Sequence, residues 1–68
     1  MSEIPQFVKD NIYTLPQECR HKGLTRRELA NMAHVDYDTV KGYARLERRP
    51  TKIMYNRIAN VFGWRLWP

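Results

Sequence analysis

The feature that most constrains this chain is the stretch LTRRELANMAHVDYDTVKGYARLE, which contains two helix starts eleven residues apart. Thr25 and Glu28 form the T-x-x-E pattern of a capping box, in which each side chain satisfies a free amide of the other's turn. Asp36 is a strong N-cap for a second helix and follows the short connection AHV. We therefore expect two helices, residues 25–33 and 36–46, joined by a tight turn.

The rest of the chain also has helical spacing. Apolar residues recur three and four apart, and the alternation with a period of two that marks a half-buried strand is missing from every segment. Within residues 1–23 a helical stripe is interrupted by Pro16, which predicts a break just before it and a second short helix that starts with this proline. Thr51 and Gly63 predict the two ends of a last helix, residues 51–62.

The length of the chain limits it to one domain, residues 1–68. A chain of 68 residues buries only about 60% of the surface that its unfolded state exposes, which suffices for one small core. We expect an all-α domain of four to five helices, followed by a tail without periodicity, residues 63–68. The residues expected in the core are Ile4, Phe7, Val8, Ile12, Leu15, Cys19, Leu29, Ala30, Met32, Val40, Tyr43, Ile53 or Met54, Ile58, Val61 and Phe62.

The basic charge is concentrated in the middle of the chain. The formal net charge is +5, and nine of the twelve Lys and Arg residues lie between Arg20 and Lys52. Such a concentration indicates a polyanionic partner, an anionic membrane surface or merely a solvated face. The single cysteine, Cys19, cannot form an internal disulfide, and no apolar run approaches the ~20 residues of a membrane span. We therefore expect a soluble cytoplasmic protein.

The sequence contains no pattern that indicates catalysis or metal binding. It has no Gly-rich phosphate loop, no Cys and His residues at metal-ligand spacing, and no nucleophile with a positioned base. His34 is interpreted as a turn residue and Cys19 as a small buried apolar residue. We expect neither an enzyme nor a cofactor.

The segment LTRRELANMAHVDYDTVKGY resembles the helix-turn-helix of the repressor and Cro-type family (XRE-like, lambda-repressor-like), whose pattern runs LTQEELA, a Gly-Val turn and a capped recognition helix. The similarity extends through RRP and RIANVFG to Gly63, about 40 of the 68 residues. His34 stands where the family has Gly and would need left-handed backbone. Ala44 and Leu46 replace the family's usual Glu and loop Gly, and the family's fifth helix is missing. We expect the N-terminal segment to cover that part of the core.

The resemblance also implies roles for individual residues, since the family's second helix enters the major groove of DNA. The positions that match base-reading residues are Tyr37, Asp38, Thr39, Lys41 and Gly42. The positions that match phosphate contacts are Arg26, Arg27, Arg45, Arg48, Arg49 and Lys52. Asp38 could accept a hydrogen bond from cytosine, although the helix dipole alone would also explain it. Asp36 is expected to turn its side chain back to the helix amides.

The function expected from these features is that of a sequence-specific regulator of transcription that binds double-stranded DNA, a repressor of the phage or mobile-element type. The WRLWP segment is the expected surface for a homodimer. The alternative is a protein-binding module on the same scaffold, antirepressor or antitoxin-like, with a regulatory protein as its partner. Asp36, Asp38, Gly42 and the Trp-rich end favour this alternative, and the concentrated arginines oppose it. RNA binding is a third and weaker interpretation.

Overall fold

The structure is a computed structural model that describes residues 3–68, and all the regular structure in that range is α-helical. The five helices are α1 (Gln6–Tyr13), α2 (Leu15–Lys22), α3 (Arg26–Ala33), α4 (Tyr37–Ala44) and α5 (Lys52–Phe62). The expectation of an all-α fold with four to five helices is therefore confirmed. Within residues 3–68, no helix combines the length and the apolar character that crossing a membrane requires.

A single residue, Thr14, separates α1 from α2, and its amide donates to the carbonyl of Asp10 at 3.1 Å. Pro16 lies in the first turn of α2, where backbone amides have no intrahelical acceptor, so its missing N–H costs no hydrogen bond. The predicted break is confirmed, although α2 begins one residue before the expected start at Pro16. The helix ends at Gly23, which adopts a left-handed φ of 69°.

Local hydrogen bonds fix α3 at both ends. The Thr25 hydroxyl accepts from the Glu28 amide at 3.1 Å, and the Thr25 amide donates to Glu28 Oε1 at 2.8 Å. The predicted capping box is confirmed, and the Thr25 amide is the main reason that the pKa of Glu28 lies below its ordinary value. At the other end His34 adopts the left-handed φ of 58° that was expected of it. The Val35 amide then donates to the Ala30 carbonyl at 3.1 Å and closes the turn.

α4 is shorter than the predicted range 36–46. Asp36 precedes the helix as its N-cap, and the helix ends at Ala44. The chain leaves the helix because Leu46 adopts a positive φ of 60°, and the amides of the two residues after it both donate to the Gly42 carbonyl. These two bonds replace the next helical turn, so the helix ends two residues before the predicted end, while the predicted N-cap, Asp36, is confirmed.

The core contains residues from all five helices: Val8, Ile12, Leu15, Cys19, Leu29, Ala30, Ala33, Val40, Tyr43, Tyr55, Ile58 and Ala59. Burial raises the pKa of the Cys19 thiol. Met32 is 54% exposed because it falls beside the buried side of α3, so its prediction as a core residue was wrong. Ile53 is 65% exposed, and of the two residues considered at that place Met54 is the one that packs against the core.

The tail after α5 folds back onto its own chain. The Asn56 side chain forms two hydrogen bonds with the backbone of Trp67, accepting from its amide at 2.7 Å and donating to its carbonyl at 2.8 Å. Trp64 stacks on Phe62 with ring centroids 4.7 Å apart. Both tryptophans are half-buried, whereas Leu66 is 49% exposed. The two tryptophans of this segment therefore pack against the core of their own chain, while Arg65, Leu66 and Pro68 stay exposed.

Tyr55 joins the tail to α1. Its hydroxyl donates to the Arg65 carbonyl at 2.8 Å and accepts from Asn11 Nδ2 at 2.9 Å. Its ring contacts the rings of Phe7, Trp64 and Trp67. The N-terminal helix and the tail thus cover this part of the core together, which extends the expectation that the N-terminal segment alone would cover it. We call Phe7, Asn11, Tyr55, Trp64 and Trp67 the Tyr55 cluster.

Candidate nucleic-acid interface

One side of α4 faces solvent and carries most of the chemistry expected of a base-reading helix. Asp38 and Arg45 are exposed, and Tyr37 and Lys41 are half-buried. Because these residues are spaced three and four apart, their side chains lie on one face, which we call the α4 outer face. The buried residues of α4 face the core: Thr39, Val40, Gly42 and Tyr43. Three of the five predicted base-reading residues therefore lie on the outer face.

The other two, Thr39 and Gly42, do not face solvent. Thr39 is 5% exposed, and its hydroxyl donates to Asp36 Oδ1 and accepts from Arg48 Nη1 at 3.4 Å. Gly42 lies beneath Arg48, so that a Cβ added to it would be 2.7 Å from both Cγ and Cδ of that side chain. A glycine is thus needed here because a side chain passes closely over the helix. The assignment of Thr39 and Gly42 as base-reading residues is corrected, since neither can reach a base in this conformation.

Asp36 caps α4 in a different way from the one expected. No helix amide donates to its side chain; Oδ1 accepts from the Thr39 hydroxyl, and the backbone carbonyl of Asp36 accepts from the Thr39 amide at 3.2 Å. The hydroxyl is the main cause that lowers the pKa of Asp36, and the charge of Arg48 lowers it further. Asp36 is therefore a carboxylate held within its own turn, and it stabilises the start of α4.

Tyr37 connects the two helices of the pair through its ring. The guanidinium carbon of Arg27, on α3, lies 4.3 Å from the ring centroid, and Lys41 Nζ lies 5.8 Å from it. A cation over an aromatic face is attracted by the ring quadrupole. The structure thus brings together one predicted phosphate contact and two predicted base-reading residues, and it restrains the direction in which the Arg27 guanidinium points.

A surface cleft of about 500 Å³ lies beside this group, between α2 and α3. Its basic lining is formed by Arg20, Arg26 and Arg27, and Tyr37 and Cys19 complete part of the wall. We call it the arginine cleft. Arg20 was not among the predicted site residues. Its sequence signal was the basic last turn of α2 followed by Gly23, whose left-handed backbone turns the chain back and places α2 beside the start of α3.

The remaining predicted phosphate contacts lie after α4. Arg45 and Arg49 are exposed, and Arg48 is exposed while it also covers Gly42. Lys52 is the first residue of α5, and its Nζ lies 6.0 Å from the ring of Trp67. The structure therefore places Lys52 beside the tail.

Arg57 contacts the turn of the helix pair, although its sequence position gave no hint of this. Its Nη1 donates to the His34 carbonyl at 2.7 Å. This bond joins α5 to the turn whose φ of 58° sets the direction from α3 into α4. Only the fold could reveal it, because the two residues are 23 positions apart in the chain.

Within residues 3–68 no group of three or more His, Cys, Asp or Glu side chains is placed to hold a metal ion. Comparisons of the chain with protein-family models, with curated proteins and with solved structures find no match. The resemblance to the repressor and Cro-type family therefore depends on the motif residues alone.

Proposed function

We propose that this protein binds double-stranded DNA sequence-specifically, with the α4 outer face in the major groove, and regulates transcription as a repressor of the phage or mobile-element type. Repression follows when the bound protein occupies a promoter. Such a regulator works in the cytoplasm, where it has access to DNA.

The observation that carries the proposal is the composition of the α4 outer face and its surroundings. A helix fits the major groove, where each base pair presents a distinct pattern of donors and acceptors. Tyr37 and Asp38 are hydrogen-bonding side chains in the first turn of α4, the end that a helix-turn-helix presents to base edges, and Lys41 follows one turn later on the same face. Lys41 donates to guanine, and Asp38 accepts from cytosine. The face therefore contains both a donor and an acceptor for base edges.

The cations around this face supply affinity. Arg26 and Arg27 begin α3, and Arg45 and Arg49 follow α4, so that positive charge flanks the base-reading residues on two sides. Contacts from such cations to phosphates fix the position of a protein on the duplex, while base contacts specify the sequence. In this arrangement Asp38 lowers affinity through repulsion by phosphates and contributes discrimination among bases.

The direct test is selection from a random pool of duplex DNA at about physiological ionic strength, followed by sequencing of the survivors. The proposal expects an enriched motif. A palindrome with half-sites about 10 bp apart would also support a homodimer. Binding at low salt without any enriched motif would contradict sequence-specific recognition and leave only electrostatic attraction.

The docking mode has its own test in the salt dependence of binding. Arg26→Ala and Arg49→Ala should each make the slope of log K against log salt shallower by about one unit, because each removes a proposed phosphate contact. Arg65→Ala is the matched control, because the Arg65 guanidinium lies 4.4 Å from the Phe7 ring in the Tyr55 cluster. Unchanged slopes in both variants would contradict the docking mode.

Binding to a regulatory protein is the second candidate function, and exposed apolar side chains favour it. Met32 and Ile53 are 54% and 65% exposed. Met32 also lines a shallow cleft of about 400 Å³ with His34, Arg57 and Val61. If selection yields no motif, Met32→Ser should weaken a regulatory protein's binding, whereas Lys41→Ala should not.

A further inference from the structure

The arginine cleft contains a guanidinium outside the helix pair. Arg20 belongs to α2, and it lines the cleft together with Arg26 and Arg27 of α3. All three side chains are exposed, and none of the eight residues lining the cleft is acidic. Three positive charges therefore surround one concave surface of about 500 Å³ whose own walls carry no carboxylate.

Concave shape and like charge reinforce each other electrostatically. Low-dielectric walls focus the field of nearby charges, so a cleft lined by one sign of charge concentrates counter-ions of the other sign. The closest carboxylate along α3, that of Glu28, accepts the Thr25 amide at 2.8 Å. Because Thr25 lines the cleft, the Glu28 carboxylate lies at its edge, and the charge of Glu18 acts on Cys19 in its wall. Three guanidinium charges outnumber these two carboxylates, so the cleft still attracts an anion from solution.

The chemistry of the guanidinium group and the restrained position of Arg27 indicate which kind of anion the cleft binds. A guanidinium is planar, permanently charged and able to donate two parallel hydrogen bonds, which matches the geometry of phosphate oxygens. Arg27 is restrained by its position 4.3 Å from the Tyr37 ring centroid, so part of its side-chain entropy is already lost before an anion binds. Arg20 approaches from a different helix, and a single phosphate group can accept from more than one guanidinium.

We propose that the arginine cleft is a phosphate-binding site in which Arg20 is the third guanidinium. In the complex with DNA its ligand is a backbone phosphate beside the groove that α4 enters, and this choice of source rests on the proposed function. A free phosphorylated ligand has the same chemistry and would occupy the same cleft.

The first experiment measures the site without DNA. Inorganic pyrophosphate is titrated into the full chain, the backbone amide signals of residues 24–27 are followed by NMR, and sodium chloride at equal ionic strength is the control. The proposal expects saturable shifts of these signals, and an affinity about tenfold weaker in Arg20→Ala. Arg65→Ala, an arginine outside the cleft, should bind pyrophosphate like the wild type. Shifts that chloride reproduces, or an Arg20→Ala affinity equal to that of the wild type, would overturn the proposal.

The second experiment identifies the source of the phosphate. On a selected duplex, Arg20→Ala should make the salt slope shallower by about one unit, whereas Arg20→Lys, which keeps the charge, should retain the slope. A purely structural role for Arg20 would leave both slopes unchanged and would overturn the assignment to DNA. If pyrophosphate binds with the expected dependence on Arg20 while the wild type binds no duplex, the phosphate site stands and the proposed function fails.

Discussion

The α4 outer face and the Tyr55 cluster differ in how their side chains are held. On the outer face, Asp38 and Arg45 extend into solvent, and Tyr37 is contacted by Arg27 and Lys41 through its ring. In the Tyr55 cluster, one fully buried hydroxyl forms hydrogen bonds with residues 44 positions before it and 10 positions after it. The α4 outer face presents charged side chains to solvent, whereas the Tyr55 cluster joins three segments by hydrogen bonds and ring contacts.

This difference teaches which substitutions report on binding and which report on folding. Truncation of an exposed Lys or Arg side chain should change the free energy of unfolding of the protein little, because surface substitutions usually change stability by at most about 0.5 kcal/mol. Buried aromatic residues in a small domain contribute much of the free energy that keeps it folded. The proposed DNA contacts should therefore be separable from stability, and the following substitutions test that separation.

The largest effect is expected from Tyr55→Ala. It removes a fully buried ring and two hydrogen bonds, so the free energy of unfolding should fall by about 3–5 kcal/mol in urea titrations. Tyr13→Ala is the matched control, because Tyr13 is 71% exposed and should change stability little. Tyr55→Phe, which keeps the ring, should cost about 1–3 kcal/mol. Equal stability of the two alanine variants would remove the distinction between the regions.

Gly42→Ala tests the place where α4 supports the loop after it. The new methyl group would lie 2.7 Å from Arg48 Cγ and Cδ and 3.2 Å from its Cβ, so the Arg48 side chain must move. Overpacking of about 1–3 kcal/mol should exceed the ~1 kcal/mol that alanine gains in a helix. In the background of Arg48→Ala the same substitution should be tolerated or stabilising. A gain in stability in the wild-type background would contradict the close packing of Arg48.

His34→Gly tests the strain in the turn of the helix pair. Left-handed backbone costs a residue with a Cβ about 1 kcal/mol, and His34 has φ 58°. The glycine variant should raise the melting temperature by a few degrees while its affinity for DNA stays unchanged. His34→Ala keeps the Cβ and should bring no such gain. A lower melting temperature for the glycine variant would show that the His34 side chain stabilises the turn.

The smallest effect is expected for the dependence of stability on acidic pH. Asp36 and Glu28 have lowered pKa values, chiefly through hydrogen bonds from the Thr39 hydroxyl and the Thr25 amide. Their contribution to stability is complete above their ordinary values of 3.8 and 4.5 and is lost as the pH falls through the lowered ones. Thr39→Val and Glu28→Gln should therefore narrow the difference in unfolding free energy between about pH 6 and about pH 3. An undiminished difference in both variants would contradict these cap interactions.

The sequence predicted the parts of the fold that local chemistry determines. The Thr25 capping box, the turn at His34 and the glycine ends of α2 and α5 depend on neighbouring residues, and all were correctly placed. The positions of Tyr37, Asp38 and Lys41 were implied by the resemblance to the helix-turn-helix family, and all three lie on the α4 outer face.

Long-range contacts account for what the sequence missed. The loop after α4 depends on the Arg48 side chain above Gly42 and on the bond from the Thr51 amide to the Tyr43 hydroxyl at 3.1 Å. The tail is held by side chains of α5, and Arg57 reaches a turn 23 positions away. No spacing of residue types encodes such pairings, so the packed tail and the buried Thr39 appeared only in the fold, whereas the basic last turn of α2 was a sequence signal for Arg20.

The central claim, that the α4 outer face reads bases, is tested most directly by parallel selection with three proteins. Random duplexes are selected with the wild type and with Lys41→Ala, and Arg65→Ala serves as the control for the loss of a cation elsewhere. The wild type and Arg65→Ala should enrich the same motif, while Lys41→Ala should enrich a motif in which one base position has become relaxed. An identical motif from all three proteins would contradict base reading by Lys41, and no motif from the wild type would contradict sequence recognition by α4.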